Sequence, residues 1–167
     1  CLQNPPVDAI FGLHITSKLH TNHIGYRSGP LMASADQFRI FVRGEQTHGA
    51  QPWSGVDPIV VGSQIVLGLQ TIVSRNVDPQ HVAVVTVGAI HAGKVGNVIP
   101  EEATLELTVR TLSRELRGEV ERRIRAIAQA QAESFGLQAE VDWRPGYPVL
   151  VNTPDETAFA GTVAVEL

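Results

Sequence analysis

The chain has 167 residues, which is enough for one ordinary domain or for a small domain with pieces of a second. Its hydrophobic fraction of 43% and charged fraction of 18% are typical of a soluble globular protein, and the net charge of −4 argues against a nucleic-acid partner. No apolar run approaches the roughly 18 residues of a membrane span, so we expect no membrane partner. The single cysteine, Cys1, allows no internal disulfide and is compatible with a cytoplasmic location.

Residues 1–35 are rich in proline, glycine and histidine and contain one apolar run, Ala9–Ile15. A continuous apolar run of this length predicts a strand that is buried on both faces. His14 lies near the end of the run, where it is either a hydrogen-bonded core histidine or a ligand at the tip of a buried strand.

Four strands and two helices are predicted between residues 36 and 146. Alternating apolar residues or β-branched runs indicate strands over 38–43, 82–90, 103–110 and 138–143. Asp57, followed by proline, is suited to N-cap the first helix, and Ser113 is suited to cap the second. The expected buried faces are Gly62, Val66, Leu69 and Val73 in the first helix and Leu116, Val120, Ile124 and Ile127 in the second.

The order of these elements is β-α-β-β-α-β, which predicts an α+β fold of ferredoxin-like arrangement: a four-stranded antiparallel sheet with both helices on one face. The alternation in the third strand puts Arg110 on the open face of that sheet. Residues 147–167 return through a stretch with two prolines and end in what resembles the start of a helix. Because the chain also begins with Cys rather than Met, we expect it to be an excerpt from a longer polypeptide.

Three polar residues are candidates for chemistry. His48 lies on a turn bounded by Gly44 and Gly49, where it is either a surface histidine or a hydrogen-bond donor to a developing oxyanion. Asn97 follows a glycine and is either a turn residue or a polar ligand. Arg110 is either a solvated charge or a bidentate partner for a carboxylate. Together an imidazole, an amide and a guanidinium suit an oxyanion plus a carboxylate, as in hydrolysis of an amide that releases an amino acid.

The other histidines carry weaker signals. His20 and His23 form a His-x-x-His pair outside any predicted helix, and His81 and His91 lie at strand ends, so we expect all four at the surface. The sequence contains no Cys-x-x-Cys pair, no Gly-x-Ser-x-Gly elbow and no glycine-rich phosphate loop.

Seven short motifs in a fixed order carry a family resemblance: Gly12–His14, Arg27–Asp36, Thr47–Pro52, Asp57–Val60, Leu69–Arg75, Gly96–Pro100 and Thr108–Thr111. Together they resemble the M20 metallopeptidases, in particular the amidohydrolase branch with hippurate hydrolases, N-acyl-amino-acid amidohydrolases and auxin-conjugate hydrolases. The resemblance runs over nearly the whole chain.

The resemblance implies a domain organisation and a role for each candidate residue. Residues 36–146 would be a ferredoxin-like lid and dimerisation domain, and residues 1–35 and 147–167 would be fragments of an α/β metallopeptidase catalytic domain. His14 matches a metal ligand. His48 matches the lid histidine that reaches into the partner subunit's site and stabilises the tetrahedral intermediate. Asn97 and Arg110 match positions that hold the carboxylate side of the substrate.

The resemblance also implies a metal-dependent amidohydrolase that cleaves N-acyl amino acids and forms a homodimer through the lid. Zinc, manganese or cobalt would be bound in the full-length protein. The other metal ligands and the catalytic glutamate would lie outside this chain, so we expect the segment alone to bind no metal and to be inactive.

Two alternatives remain at this point. One is a non-catalytic ferredoxin-like module for dimerisation or ligand sensing. The other is an RNA-binding sheet of the same topology, which is disfavoured because the central strands lack the exposed aromatic residues that bind RNA bases.

Overall fold

The computed structural model describes residues 3–166. These residues form two compact units, one up to Leu31 together with the residues from Val151 onward, the other Met32–Leu150. The strands are β1 (Gly29–Met32), β2 (Asp36–Arg43), β3 (Thr47–His48), β4 (Ala83–Ala92), β5 (Val98–Ile99), β6 (Glu102–Thr111), β7 (Ala139–Pro145) and β8 (Leu150–Asn152). The α-helices are α1 (Pro58–Thr71), α2 (Arg114–Glu133) and α3 (Pro154–Glu166), with a 3₁₀ turn at Pro52–Ser54 and a π-helical turn at Ile72–Asn76 after α1.

A four-stranded antiparallel sheet forms the centre of the second unit, with strand order β4-β6-β2-β7. In the β2–β6 register, Phe38 lies opposite Leu107 and Ile40 opposite Leu105. The same phase of both strands is buried, and α1 and α2 pack against that face and against each other. The opposite face carries the more polar residues and is open. The mixed α/β architecture with several sheets is therefore as expected.

The four predicted strands of this unit are confirmed within two residues at each end, and both predicted helices are present. Asp57 N-caps α1 by accepting the Ile59 N–H, and Ser113 N-caps α2 by accepting the Leu116 N–H. The short strands β1, β3, β5 and β8 were not predicted, because two to four residues are too few for a pattern of alternation.

The predicted buried face of the first helix is partly wrong. The residues of α1 and its π-helical turn that face the core are Val61, Gly62, Ile65, Leu69 and Ile72, whereas Val66 is half-buried and Val73 is exposed. The first helix is apolar on nearly every side, so its sequence pattern could not select one face. In α2 the predicted Leu116, Val120 and Ile124 are buried and Ile127 is partly buried.

The helical segment Pro58–Asn76, which comprises α1 and its π-helical turn, has the length and composition of a membrane span. An 18-residue window within it has a mean hydropathy of 1.2, and 33% of this window is buried. Its buried residues belong to the core of the second unit, which accounts for part of this apolar character.

The predicted strand over Ala9–Ile15 is absent from the described part of the first unit. Those residues form no strand there, and Leu13 and Ile15 are 85% and 89% exposed. A strand buried on both faces needs hydrogen-bonded neighbours and cover on each side, and the described residues of this unit place none beside it. The expected helix near the C-terminus is confirmed as α3.

Candidate functional site

His48 lies in a two-stranded ribbon that continues the β2–β6 ladder beyond the end of the main sheet. The Gly44 N–H donates to the Glu101 carbonyl at 2.8 Å, and the next paired residues are Thr47 with Ile99 and His48 with Val98. This ribbon presents the His48 side chain to solvent. The exposed position is compatible with contact to a ligand or to another protein surface.

The loop selects one tautomer of the neutral His48 ring. The backbone N–H of Ala50 donates to Nδ1 at 3.0 Å, so Nδ1 acts as the acceptor. In a neutral imidazole the other ring nitrogen then carries the proton, which makes Nε2 a hydrogen-bond donor. The arrangement therefore suits the donation to an oxyanion that the sequence suggested.

Asn97 lies directly beside the His48 loop. Its backbone carbonyl accepts the Gly49 N–H at 2.8 Å. A Cβ on Gly49 would lie 3.0 Å from that carbonyl oxygen, so the close approach of the two chain segments favours glycine. The Asn97 side chain is exposed, and within residues 3–166 its amide makes no side-chain hydrogen bond. The structure thus brings His48 and Asn97 together.

Arg110 lies near the other end of β6, on the open face of the sheet and opposite Val84 of β4. It is partly buried, and Nη1 donates to the carbonyl of Val109 at 3.4 Å. No carboxylate within residues 3–166 forms an ion pair with it, in contrast to Arg39, which pairs with Glu106 on the same face. Arg110 therefore keeps its charge available for an anionic ligand.

Arg110 is distant from His48 and Asn97 within one chain. The stretch from Glu102 to Arg110 alone spans about 26 Å of extended strand, and the His48 ribbon lies beyond the Glu102 end. A single copy of the chain therefore cannot place all three side chains on one small molecule.

His14 belongs to the first unit and is exposed. Its Nδ1 lies 2.7 Å from the carbonyl oxygen of Ile15, and because a carbonyl only accepts, Nδ1 carries the proton. Nε2 is then the free lone pair, which is the tautomer that metal-binding histidines adopt when the other ring nitrogen donates to a carbonyl. Within residues 3–166 no three His, Cys, Asp or Glu side chains are grouped closely enough to hold a metal. A metal bound by His14 would therefore need its other ligands from elsewhere.

A buried carboxylate lies close to the Arg110 end of the sheet. The Asp36 side chain is 1% exposed and accepts hydrogen bonds from Arg117 (Nε at 2.8 Å, Nη2 at 2.6 Å), Trp143 Nε1 at 3.3 Å and the Gly146 N–H at 3.3 Å. Burial alone would raise the pKa of Asp36, but the hydrogen bonds and charge of Arg117, with the Gly146 and Trp143 donors, lower it below its ordinary value. The carboxylate is therefore ionised and fully engaged in structure.

The sequence contains a signal for this cluster. Asp36 shares the phase of Phe38 and Ile40, so the pattern put a charged residue in a core-facing position. Thr111 likewise shares the phase of Val109. A charged or polar residue in a buried phase indicates a partner elsewhere in the fold, although its identity (here Arg117 for Asp36) is not readable from periodicity.

Comparison with known proteins gives the class to which this fold belongs. Residues 32–135, more than half of the chain, match the peptidase dimerisation domain. The chain is 42% identical over 157 residues to N-acetyl-L-cysteine deacetylase of Bacillus subtilis, covering 94% of this chain and 37% of that protein. It is 38% identical over 160 residues to hippurate hydrolase of Campylobacter jejuni, covering 96% of this chain and 42% of that protein.

Solved structures give the same result. A dinuclear metal-binding peptidase of the M20 family from Bacillus subtilis superposes with a TM-score of 0.70 at 35% identity, over 92% of this chain and 37% of that one. A protein of methicillin-resistant Staphylococcus aureus, provisionally assigned as an aminohydrolase, gives a TM-score of 0.83 at 30% identity, over 92% and 41%. The chain belongs to the M20 family of metallopeptidases and amidohydrolases. It spans about two fifths of the length of these relatives.

Proposed function

We propose that the protein containing this chain is a metal-dependent amidohydrolase that cleaves N-acyl amino acids and releases a free amino acid. The family and the similarity to N-acetyl-L-cysteine deacetylase and hippurate hydrolase support this reaction class. In this proposal residues 36–146 are a ferredoxin-like lid and dimerisation domain. The observed strand order and the position of both helices on one face of the sheet support this assignment. Residues 1–35 and 147–167 are pieces of the catalytic domain, and a cytoplasmic location remains part of the proposal.

The hydrogen bond from the Ala50 N–H to His48 Nδ1 is the observation that carries the proposal. It leaves Nε2–H as a donor on an exposed loop, which can stabilise the oxyanion that forms when water adds to the scissile carbonyl. Asn97, adjacent to His48, supplies an amide to the same ligand. Arg110 binds the substrate carboxylate through its guanidinium.

A divalent metal, namely zinc, manganese or cobalt, belongs to the full-length protein in this proposal. When bound it polarises the scissile carbonyl and lowers the pKa of water. His14 is suited to be one of its ligands through Nε2, because Nδ1–H is held by the Ile15 carbonyl. The remaining ligands and the general base come from polypeptide outside this chain, so we propose that the segment alone has no activity.

The proposed homodimer forms along β4 and α1. β4 lies at one edge of the sheet and contains no Asp, Glu, Lys or Arg, and α1, which packs over β4 and β6, contains none either. Both present apolar side chains to solvent, among them Val84, Ile90, Ile59, Val60 and Leu67. An uncharged edge strand beside an uncharged helix is an unprotected surface for pairing, and a second copy of this chain would cover it.

Replacement of His48 by alanine in the full-length protein tests the role of this residue. We expect kcat to fall about 10²- to 10³-fold on an N-acyl amino acid, with a smaller change in KM, because the donor acts on the transition state. His81→Ala is the matched control, since His81 is also exposed and lies outside the proposed site. Unchanged turnover in His48→Ala would favour the alternative, a non-catalytic dimerisation or ligand-sensing module.

A further inference from the structure

The backbone on both sides of Arg110 is fastened to the segment that leads into β2. Val109 lies opposite Asp36 in the β2–β6 ladder. Thr111 and Ser34 exchange three contacts: the Ser34 N–H donates to the Thr111 carbonyl at 2.8 Å, the Thr111 N–H donates to Ser34 Oγ at 3.2 Å, and the two hydroxyl oxygens lie 2.9 Å apart. Arg110 is therefore held between two fixed neighbours.

Ser34, in the segment before β2, and Thr111, in the core-facing phase of β6, are both fully buried, which is unusual for residues with a hydroxyl. Thr111 Oγ1 also donates to the Ser113 carbonyl at 3.2 Å, so a valine at 111 would keep the shape of the side chain but would remove a partner from both Ser34 Oγ and that carbonyl. The pair fixes the position of Thr111 relative to Ser34. A slip of one residue in β6 would bury the Arg110 side chain and would break all three contacts.

Asp36 and its donors extend the same attachment to the segment that follows β7. Arg117 bonds both the Asp36 carboxylate and, through Nη2 at 3.2 Å, the Gly146 carbonyl. The Ala35 N–H donates to the carbonyl of Tyr147 at 3.1 Å, and a Cβ at Gly146 would overlap the Ala35 carbonyl oxygen. The segment before β2 and the segment after β7, both within the second unit, are thus hydrogen-bonded to each other near the end of β6 that carries Arg110.

We propose that Ser34 and Thr111 are positioning residues for Arg110: their buried hydroxyl contacts set the direction in which the guanidinium meets the substrate carboxylate. This inference rests on the proposed function, because it assigns to the two hydroxyls a share of carboxylate recognition. It predicts that their loss weakens substrate binding without removing any group that touches the substrate.

Thr111→Val and Ser34→Ala in the full-length protein test this inference. We expect each to raise KM for an N-acyl amino acid about 10-fold while kcat stays within about twofold, because carboxylate binding contributes to the ground state as well as the transition state. Thr111→Ser keeps the hydroxyl and should restore KM to within about twofold of wild type. Thr104→Val is the matched control: it lies on the same strand near the His48 end, and its hydroxyl contacts only Glu102 among the described residues.

The same substitutions in an Arg110→Ala background separate positioning from a general loss of structure. If Thr111 acts through Arg110, Thr111→Val should leave the kinetics of Arg110→Ala unchanged, whereas independent effects would multiply. An equal KM increase in both backgrounds would overturn the inference, as would no increase from either Ser34→Ala or Thr111→Val. Should Thr111→Val not fold, Ser34→Ala decides: it removes the hydroxyl contact and the acceptor of the Thr111 N–H, and it leaves the Thr111 contact with the Ser113 carbonyl in place.

The outcomes for the proposed function and for this inference are distinguishable. An Arg110→Ala variant with wild-type KM would overturn the carboxylate-binding role of Arg110 and the inference with it. A raised KM in Arg110→Ala, together with wild-type KM in both hydroxyl variants, would overturn the inference alone.

Discussion

A single carboxylate, Asp36, joins β2, α2 and the end of β7. Four donor contacts surround it, and the Arg117 guanidinium also stacks over the Trp143 ring at 5.9 Å from the centroid. A buried charge of this kind contributes to stability only while every partner is present, because an isolated buried ion is costly. The structure of the second unit therefore depends on Asp36 remaining ionised.

Replacement of Asp36 by asparagine should destabilise the protein by about 3 kcal/mol at pH 7, because Arg117 then loses its partner. The pKa of Asp36 in the folded protein lies below its unfolded value, so the stabilisation is present above about pH 4 and is lost as pH falls through the folded pKa. The difference in unfolding free energy between wild type and Asp36→Asn should therefore shrink below pH 4. Urea unfolding followed by tryptophan fluorescence at pH 7 and pH 3 measures it.

Glu106→Gln is the control for this prediction. It removes a 3.2 Å ion pair with Arg39 in which both side chains are 43% exposed, and such pairs contribute about 0.5 kcal/mol. A loss at pH 7 as small for Asp36→Asn as for Glu106→Gln would show that the buried carboxylate does not stabilise the fold.

The sequence could identify residue types but not their partners. His48, Asn97 and Arg110 stood out because their chemistry suits a hydrolytic site, and their functional roles remain proposals. The bond from the Ala50 N–H to the His48 ring was not predictable, since it depends on how the backbone around Gly49 folds. The Ser34–Thr111 pair joins residues that are 77 positions apart, which no local pattern records.

The two helices show why one amphipathic pattern could be interpreted and the other could not. In α2, charged residues such as Glu119, Arg122 and Arg125 mark the outer face, and the remaining stripe is buried as predicted. α1 has no charged residue, so several apolar faces compete and the sequence pattern selected a partly wrong one. β2, β6 and β7 were predictable because one face of each is mostly apolar and the other mostly polar. β4 is apolar on both faces and was predictable from its run of β-branched residues.

The exposed apolar side of α1 leads to a prediction for the dimer interface. Leu67 is 65% exposed, so Leu67→Glu should leave the folded subunit intact but should charge the proposed interface. We expect this variant to be monomeric by size-exclusion chromatography with light scattering, at concentrations where the wild type is dimeric. Ala126→Glu, an exposed position on α2, should remain dimeric. A dimeric Leu67→Glu would place the interface elsewhere.

The separation of Arg110 from His48 and Asn97 determines what one subunit can do. The two groups lie at opposite ends of β6, so a small substrate that contacts both must lie between two copies of the chain. A two-fold dimer brings the His48 end of one lid towards the Arg110 end of another if the copies pair antiparallel along β4, as a two-fold axis between edge strands requires. Each proposed site would then contain His48 and Asn97 from one subunit and Arg110 from its partner.

A complementation experiment tests this composite site in the full-length protein. His48→Ala and Arg110→Ala should each have little activity alone when assayed at a substrate concentration well below the wild-type KM. After co-expression or subunit exchange, half of the dimers contain one of each, and one of the two sites in such a dimer has an intact His48 facing an intact Arg110. Recovery of about a quarter of the wild-type activity is therefore expected. The control pairs His48→Ala with Asn97→Ala: these residues lie side by side on one chain, so every site in their mixed dimer lacks one of them and activity should stay low. No recovery in the first pair, with mixed dimers shown to form, would mean that Arg110 acts in the same site as the His48 of its own subunit. Recovery in the control pair would mean that His48 and Asn97 act from different subunits.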